Sequence, residues 1–459
     1  MSRIDKPQRK IGGISKLLAS FTGNKVLQNR TLLAVSLVVC ASYTGIGMIV
    51  PVRVLYAQSR GASLAIISAM ASAYLISNFA AQYPSGWMAD RWGRKRVMFG
   101  GLIAQAALTG AYLFINDPIL FVVLRFVEGI AGATTLPPAR ALIADTVSPE
   151  NRGEAYGLFN AFFNFGFLLG PAIGGLIAST GYASAFIGAV FFRVAAIFLV
   201  LFLIKEERQG GQAEKERGGE QSDSITHKQA RGELLRALFM LPLVGAYILV
   251  FGDFLYLGFD ITLMPLWLHY HLGASVGVIG LVYVMWAIPS IIMSPIGGRI
   301  ADRRRRSVLI FIFGLAQVPL YTIYGLVNVA WPIVVLFAVH GIVYSLIQPA
   351  VDATVATSSP PDVRARVQSM YSSFGLVAAF VGASGFSILY GINFRLPLFA
   401  MATAVGVCTL IGGSMIRIAE QRGMVSGPRK PDEGPALQSS QVPTAEAVTI
   451  GISGDQGPV

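Results

Sequence analysis

Charged residues are scarce in this chain: only 13% of its 459 residues are Asp, Glu, Lys or Arg, whereas 54% are hydrophobic. A soluble domain of this composition would expose too much apolar surface to water. Cysteine is scarcer still, because Cys40 and Cys408 are the only two and both fall in apolar segments. This excludes a disulfide framework and a cysteine-based metal site. We therefore predict a membrane protein that crosses the bilayer many times.

Signatures of nucleotide binding and of catalysis are also missing. The sequence has no GxxxxGKS/T loop and no soluble segment large enough to hold a nucleotide-binding domain. Among four histidines, His269 and His271 are close in sequence, but two histidines without a third ligand are a weak metal site. We predict no metal ion, no cofactor and no enzyme activity, since no nucleophile and base stand together.

The chain does contain long apolar runs. About 20 such residues cross the hydrocarbon core of a bilayer as a helix. Twelve runs of this kind are present, in two sets of six. They are Thr31–Tyr56, Ser63–Met88, Val97–Ile115, Ile119–Ala144, Ala155–Ser179, Ala185–Ile204, Leu241–Met264, Val276–Ile296, Ser307–Val327, Trp331–Ala353, Val367–Tyr390 and Leu396–Ile416.

The two sets of spans are related by a repeat. The segment Gly86–Arg96, GWMADRWGRKR, returns as GRIADRRRR at Gly298–Arg306, with residue 298 following residue 86 by 212 positions. Gly129 and Gly341 keep the same offset well outside this segment. A register held over such a distance predicts two homologous six-helix bundles.

The net charge of +12 would suit a nucleic-acid partner, but the placement of the basic residues argues against one. Of the 36 Lys and Arg residues, 30 lie in segments on one side of the predicted membrane, and the opposite face has only Arg53, Arg60 and Arg395. This is the positive-inside pattern, which places both termini in the cytoplasm. We predict a plasma or inner membrane location, contact with the lipid bilayer and no nucleic-acid partner.

Polar segments divide the chain. Residues 205–236 are charged and rich in Gly and Gln, and residues 419–459 are rich in Pro, Gly, Ser and Gln. We predict a cytoplasmic linker and a disordered cytoplasmic tail. With a cytoplasmic segment at 1–30, they bound an N-terminal bundle at 31–204 and a C-terminal bundle at 237–418. No cleavable signal peptide is apparent, so the first span is expected to direct insertion.

The repeated loop motif carries a resemblance to a known family. The pattern GxxxDRxGRK between the second and third spans is met by Gly86, Asp90, Arg91, Gly93, Arg94 and Lys95. This resembles the major facilitator superfamily, and within it the twelve-span drug:proton antiporters. The resemblance implies an all-α fold of two pseudo-symmetric six-helix bundles around a central cavity, and transport by alternating access.

We predict that both copies of the loop motif form a conformational gate. The motif glycine lets helices approach closely, and the carboxylate one turn later can face the positive N-terminus of a neighbouring helix. Asp90 is expected to face the start of the eleventh span near Arg364. Asp302, beside Arg303, is expected to face the start of the fifth span near Arg152. The alternative is a packing glycine next to positive-inside charges.

A second motif lies in the fifth span. The pattern GxxxGPxxGG is met by Gly166, Gly170, Pro171, Gly174 and Gly175. Glycines spaced by four predict a tight helix crossing, and Pro171 predicts a bend. In the resembled superfamily this pattern looks like the mark of antiporters. The alternative is a packing face with no bearing on the direction of transport.

The fourth span contains a third motif. Arg125, Glu128 and Gly129 resemble a superfamily pattern of Arg, Gln and Gly, with glutamate in place of the usual glutamine. Arg125 and Glu128 are three residues apart and can pair on one helix face. A static ion pair is one interpretation. The other is that Glu128 carries the coupling proton while Arg125 sets its affinity.

Other carboxylates within the predicted spans are Asp253 and Asp260 in the seventh and Asp352 in the tenth. In the resembled family the first, fourth, seventh and tenth helices line the cavity. We therefore predict that Asp253 and Asp260, with Tyr256 between them, contribute to proton coupling or to a site for a cationic or amphipathic substrate. For Asp260 a capping or gating role is the alternative.

One pair of opposite charges is related by the repeat. Asp352 follows Arg140 by the same 212 positions, which puts the two residues at matching depths in the fourth and tenth spans. We predict an ion pair between the two halves when the cytoplasmic gate is closed. The alternative is a pair within one bundle, such as Arg140 with Asp145.

Together these patterns predict a secondary transporter that is a monomer. We expect it to exchange protons for small amphipathic or hydrophobic compounds. Uptake or exchange of a sugar or organic anion is the alternative, with Arg125, Arg140 and Arg193 as anion ligands. A transporter-like receptor is a more remote one.

Overall fold

The computed structural model describes residues 29–147, 152–204, 239–359 and 364–425. Twelve long helices run through these ranges, and we number them α1 to α12 in chain order. The first six are α1 Arg30–Ser59, α2 Leu64–Trp92, α3 Arg94–Ala111, α4 Pro118–Thr146, α5 Arg152–Ile177 and α6 Tyr182–Leu203. The second six are α7 Leu241–Thr262, α8 Val276–Arg303, α9 Arg306–Leu326, α10 Ala330–Ser358, α11 Arg364–Ile392 and α12 Leu396–Gln421.

Eleven helices in the described ranges are long and apolar enough to cross a membrane. The remaining helix, α3, has 18 residues and begins with Arg94, Lys95 and Arg96. These basic residues place its first turn at the polar end of the bundle, and its apolar part completes the set of twelve. The predicted all-α fold is confirmed.

Several helices differ in length from the apolar runs in the sequence. α2 ends at Trp92 rather than Met88, α8 ends at Arg303 rather than Ile296, and α10 ends at Ser358 rather than Ala353. An apolar run marks only the part of a helix that matches the hydrocarbon core, and these helices continue beyond it into polar surroundings. α12 likewise extends to Gln421, past the predicted start of the tail.

Three helices are shorter than predicted or are interrupted. α3 ends at Ala111, before the predicted Ile115, and α4 is broken by a turn between Gly132 and Leu136. α7 ends at Thr262, and a short turn leads into a π-helical turn at Trp267–His271. The predicted linker 205–236, nearly all of the segment 1–30 and most of the tail 419–459 lie outside the described residues.

Local signals explain where helices begin. Asn29 caps α1 by accepting a hydrogen bond from the backbone N–H of Leu32 at 3.0 Å, and Asp117 caps α4 before Pro118. Between α2 and α3, Gly93 of the loop motif has φ +93°, a conformation that residues with a Cβ atom rarely adopt. The glycine therefore permits the tight turn that brings Asp90 and Arg94 together.

The two halves pack in equivalent ways. In the N-terminal half α1 lies along α5, and in the C-terminal half α7 lies along α11. Both crossings bring backbones together, since a Cβ added to Gly170 would lie 2.5 Å from Cα of Gly47, and one added to Gly258 would lie 2.2 Å from the carbonyl oxygen of Ala379. Such crossings are typical of helices in membranes.

The two ends of the molecule differ in how the halves meet. We call the end with the loop motifs, at Gly93 and at Arg304, the motif end, and the opposite end the far end. Near the far end Ser68 Oγ donates to the carbonyl oxygen of Ala383 at 3.1 Å, and a Cβ added to Gly175 would lie 3.0 Å from Cα of Gly280. The halves are therefore joined at the far end.

Candidate functional site

A cavity of about 770 Å³ lies between the two halves. Residues of α1, α4, α7 and α10 line it, as the family resemblance implied, and α2, α3, α5, α6, α8, α9 and α11 also contribute. Its walls include Asp253 and Asp260 from the C-terminal half, and Arg125, Glu128 and Arg140 from the N-terminal half.

Glu128 lies at the centre of an arginine cluster, which we define as Arg53, Arg125, Glu128 and Arg193. Its carboxylate oxygens lie 3.0 Å from Arg125 Nη1, 3.2 Å from Arg53 Nη2 and 3.6 Å from Arg193 Nη2. Tyr112 also donates a hydrogen bond to Glu128 at 3.3 Å. The sequence predicted contact with Arg125 alone, so the observed group has three guanidinium groups around one carboxylate.

Two of these arginines, Arg53 and Arg193, were not predicted to contact Glu128. Arg53 was expected on the outer face, but it lies within α1 and points to α4. Arg193 is buried with 1% of its surface exposed. Its Nη1 donates to Gln105 Oε1 at 2.8 Å, while Gln105 Nε2 donates to the carbonyl oxygen of Ala131 at 3.0 Å. Gln105 thus ties α3, α4 and α6 around the cluster.

Aromatic rings complete the surroundings of the cluster. The guanidinium carbon of Arg125 lies 3.9 Å from the centre of the Tyr74 ring, and that of Arg53 lies 5.9 Å from the Tyr112 ring. Ring faces attract cations, which offsets part of the desolvation of the guanidinium groups. The cluster is therefore held by charge, hydrogen bonds and ring contacts from five helices.

The opposite wall of the cavity is acidic and aromatic. We define the acidic wall as Asp253, Tyr256, Asp260 and Tyr283. Tyr256 donates a hydrogen bond to Asp260 Oδ1 at 3.4 Å, and Tyr283 donates to the Asp260 carbonyl oxygen at 3.2 Å. In the described part of the chain neither Asp253 nor Asp260 forms an ion pair. Their charge is not offset by a basic side chain as that of Glu128 is.

A buried histidine that sequence reasoning missed lines the cavity beside the acidic wall. His340 of α10 is 1% exposed, and its Nε2 and Nδ1 lie 3.3 Å and 3.2 Å from the hydroxyl oxygens of Tyr321 and Tyr324. The Tyr256 ring lies 5.2 Å from the imidazole ring. A lone histidine in an apolar span was the available signal. This network fixes the rings that face the cavity.

The glycines of the fifth-span motif pack against α1. A Cβ at Gly166 would lie 2.4 Å from the carbonyl oxygen of Cys40, and one at Gly174 would lie 2.1 Å from that of Met48. Gly175 and the Pro171 carbonyl oxygen face the other half, where they meet Gly280 of α8, while Pro171 Cδ lies near Gly47 of α1. The motif therefore presents one face to its own bundle and another to the second bundle.

The first loop motif makes its ion pairs within the N-terminal half. Arg94 forms salt bridges with Asp145 and, at 3.9 Å, with Asp90. Lys95 Nζ donates to the carbonyl oxygen of Leu201 at 3.0 Å, and the Arg91 guanidinium lies 5.4 Å from the Trp87 ring. Asp145 thus pairs with Arg94, whereas the sequence had offered Arg140 as its partner.

The second loop motif is anchored in a different way. Arg306 donates to the carbonyl oxygen of Ala353 at 3.1 Å and to Thr357 Oγ1 at 2.6 Å, while Asp302 and Arg303 are exposed. A Cβ added to Gly86 or Gly298 would have no heavy atom within 4 Å. The close helix approach expected at these glycines is thus not formed in this arrangement, in which the halves meet at the far end.

Replacing Asp90 with Asn is expected to favour the arrangement described here. The carboxylate stabilises a closed motif end only if it faces a helix N-terminus there, an interaction worth about 1 kcal/mol, or about fivefold in a two-state balance. Cysteines placed in the cavity near the motif end should therefore be labelled faster in Asp90→Asn. Unchanged labelling at equal expression would contradict the gate. The side chains of Arg152 and Arg364, near the predicted targets, lie outside the described residues.

Arg140 and Asp352 lie apart in this arrangement. Arg140 lines the cavity and its carbonyl oxygen accepts a hydrogen bond from Tyr156 at 3.0 Å, while Asp352 accepts one from Gln348 at 3.1 Å. The ion pair was predicted for the arrangement that is closed at the motif end. It stays a prediction.

A charge swap tests the predicted pair between Arg140 and Asp352. Each of Arg140→Ala and Asp352→Ala should impair transport, because the remaining charge loses its partner when the motif end closes, at a cost of a few kcal/mol. The double variant Arg140→Asp with Asp352→Arg should recover part of the flux in proteoliposomes. Recovery no better than either single variant, at equal expression, would exclude the pair.

Comparison with known proteins places this architecture in a family. The family model described as Major Facilitator Superfamily matches residues 35–263 and 254–449. Among curated relatives, an uncharacterized MFS-type transporter from Methanocaldococcus jannaschii is 33% identical over 135 residues, which is 29% of this chain and 35% of the relative. The quinolone resistance protein NorA from Staphylococcus aureus is 25% identical over 167 residues, which is 36% of this chain and 43% of the relative. Both matches span less than half of each relative.

Solved structures share the fold at low sequence identity. A bacterial homolog of the human lysosomal transporter Spinster, in an inward-facing and unoccupied conformation, has a TM-score of 0.66 at 16% identity and covers 89% of this chain and 100% of that one. A D-xylose-proton symporter has a TM-score of 0.62 at 18% identity, with 87% and 98% covered. Since the family model spans both halves and the fold agrees, this protein is a multi-pass membrane transporter that belongs to the major facilitator superfamily.

Proposed function

We propose that this protein is a proton-coupled antiporter that exports small amphipathic or hydrophobic compounds across the plasma membrane. The observation that carries the proposal is the cavity between the two halves, with Asp253 and Asp260 in its wall and free of ion pairs in the described part of the chain. The fifth-span motif and the similarity to a protein named for quinolone resistance support export rather than uptake.

Orientation follows from the basic residues. We infer that the motif end is cytoplasmic, because the Lys and Arg residues of the loop motifs lie there. The halves are joined at the far end, so the arrangement described here is inward-facing. Asp90 fits this inference, because its side chain is 65% exposed beside Arg94 and is accessible to a partner from the other half when the motif end closes. In alternating access the far end would open and the motif end would close.

For proton binding we favour Asp253 and Asp260 over Glu128. Three guanidinium groups within 3.6 Å of the Glu128 carboxylate stabilise its charged form, which disfavours proton binding at Glu128. Asp253 and Asp260 lack such partners among the described residues, and a carboxylate at membrane depth changes its protonation state readily when its surroundings change. Glu128 and Arg125 then serve coupling indirectly, by fixing the electrostatic field in the cavity.

Proton flux in sealed proteoliposomes tests the direction of coupling. Ethidium, an amphipathic cation, is added outside vesicles that contain a pH-sensitive dye. Antiport predicts that protons leave the lumen as ethidium enters, and vesicles with Asp253→Asn protein are the control for leakage. Protons entering together with substrate would indicate symport. Absence of substrate flux from correctly folded protein would favour a receptor.

Exchange or uptake of an organic anion is a second candidate. The arginine cluster favours it, because its three guanidinium groups outnumber its single carboxylate. In the vesicle assay, an organic anion would then drive protons in the same direction as the substrate.

A further inference from the structure

The net charge of the side chains that line the cavity differs in sign between the two halves. Among the described residues, all the arginines in its walls belong to the N-terminal half, together with one carboxylate, Glu128, and these arginines are Arg53, Arg125, Arg140 and Arg193. In the described part of the chain, the C-terminal half contributes Asp253, Asp260 and the imidazole of His340 to the lining and no Lys or Arg. A ligand in the cavity therefore meets positive charge on one side and negative charge on the other.

The arginine cluster carries an excess of positive charge. Three guanidinium groups share the single carboxylate of Glu128, and the exposed fractions of Arg125 and Arg193 are only 6% and 1%. The buried Nε atoms of Arg53 and Arg193 have no hydrogen-bond partner among the described residues. Unmatched charge at membrane depth is costly, and a guanidinium binds a planar anion through two parallel hydrogen bonds. A carboxylate on a ligand would complete this group.

The acidic wall has the opposite character. Besides the carboxylates of Asp253 and Asp260, aromatic side chains of four helices face the cavity on this side: Tyr256, Tyr283, Trp286, Tyr321, Phe337 and Tyr344. Carboxylates together with ring faces bind ammonium groups through charge and through cation–π attraction. The buried Trp286 Nε1 has no hydrogen-bond partner in the described part of the chain. This wall suits a basic amine.

Apolar side chains also line the cavity. They include Val50, Met70, Leu75, Phe163 and Leu257. A ligand that spans the cavity must therefore have an apolar body, because a polar one would lose its hydration without gaining hydrogen bonds.

We propose that the cavity selects zwitterionic amphiphiles, in which an anionic group and a basic amine lie at opposite ends of an apolar body. The anionic group contacts the arginine cluster and the amine contacts the acidic wall. This inference rests on the proposed transport function and narrows its range of substrates. It also explains why one cavity has features of both an organic-anion site and a cation site.

Four matched compounds test the proposal. The parent is a naphthalene with a carboxylate at one end and an aminomethyl group at the other. Its methyl ester is a cation, its N-acetyl derivative is an anion, and the doubly blocked compound is neutral. Binding to the purified full-length chain is measured by naphthalene fluorescence and by the shift in melting temperature. The parent should bind more than about tenfold tighter than the neutral compound, with both singly blocked compounds in between.

Two substitutions should separate the walls. Arg53→Gln is expected to weaken binding of the parent and the anion by about tenfold and to leave the cation and the neutral compound unchanged. Asp260→Asn should weaken binding of the parent and the cation and leave binding of the anion and the neutral compound unchanged. Binding of the neutral compound reports that each variant is folded, and the ranking on the unsubstituted chain is decisive even where a variant does not fold.

The proposal would be overturned if the chain bound all four compounds with equal affinity. It would also be overturned if each variant lost the same amount of affinity for all four compounds. If the ranking fails while ethidium still drives protons outward, the substrate class is wrong and the antiport function stands. If the ranking holds but no compound moves protons, the cavity is a zwitterion site in a protein that is not a proton-coupled antiporter.

Discussion

Vesicles that contain the Asp253→Asn protein are expected to accumulate no substrate in response to a pH gradient, so that uptake falls to the level of protein-free vesicles. Asn preserves the shape of the side chain but cannot release a proton, so substrate movement loses its link to the gradient. Equilibrium exchange of labelled for unlabelled substrate should continue, because exchange requires no net proton transfer. Asp260→Asn is expected to behave in the same way if both carboxylates take part.

The matched control is Glu128→Gln, which restores the residue usual in the resembled family. This change leaves three guanidinium groups without their carboxylate, so we expect a lower melting temperature, while coupling persists in the protein that folds. Loss of coupling in Glu128→Gln together with full coupling in both aspartate variants would assign the proton to Glu128.

Gly174→Ala is expected to prevent normal folding, although it adds a single methyl group. That methyl would lie 2.1 Å from the carbonyl oxygen and 2.5 Å from Cα of Met48, so α1 and α5 would have to separate. Because backbone atoms cannot turn aside as a side chain does, we expect a destabilisation of about 3 kcal/mol or more. The yield of monodisperse protein in detergent and its melting temperature measure the effect.

The same helix offers a control for this substitution. A Cβ added to Gly157 has no heavy atom within 4 Å, so Gly157→Ala should be neutral or should stabilise α5 by up to about 1 kcal/mol through helix propensity. Equal stability of the two variants would show that the α1–α5 crossing tolerates more space than its geometry indicates.

Features that depend on neighbours in sequence could be predicted well. The helices follow from apolar runs, the two bundles from the repeat, and the contact between Arg125 and Glu128 from their spacing along one helix. The tight face of Gly166, Gly170 and Gly174 also follows from helical periodicity, because residues spaced by four lie on the same side.

Features that depend on how the helices are arranged could not be predicted. Arg53 and Arg193 are distant from Glu128 in sequence, and only the packing of α1, α4 and α6 brings them together. The contact of Asp145 with Arg94 likewise depends on the turn at Gly93. Charge counting in the sequence therefore underestimated the positive charge in the cavity, since it placed Arg53 on the outer face.

The two faces of α5 have a mechanical consequence. On one side Gly170 and Gly174 touch the backbone of α1, and on the other Gly175 touches that of α8 in the second half. No flexible side chain lies between these backbones to absorb a displacement, and closely packed interiors transmit strain. A shift of α1 caused by a ligand at Arg53 would therefore displace α5 and, through α5, also α8. Occupancy of the cavity would in this way move the contact between the two halves at the far end, which must separate when that end opens.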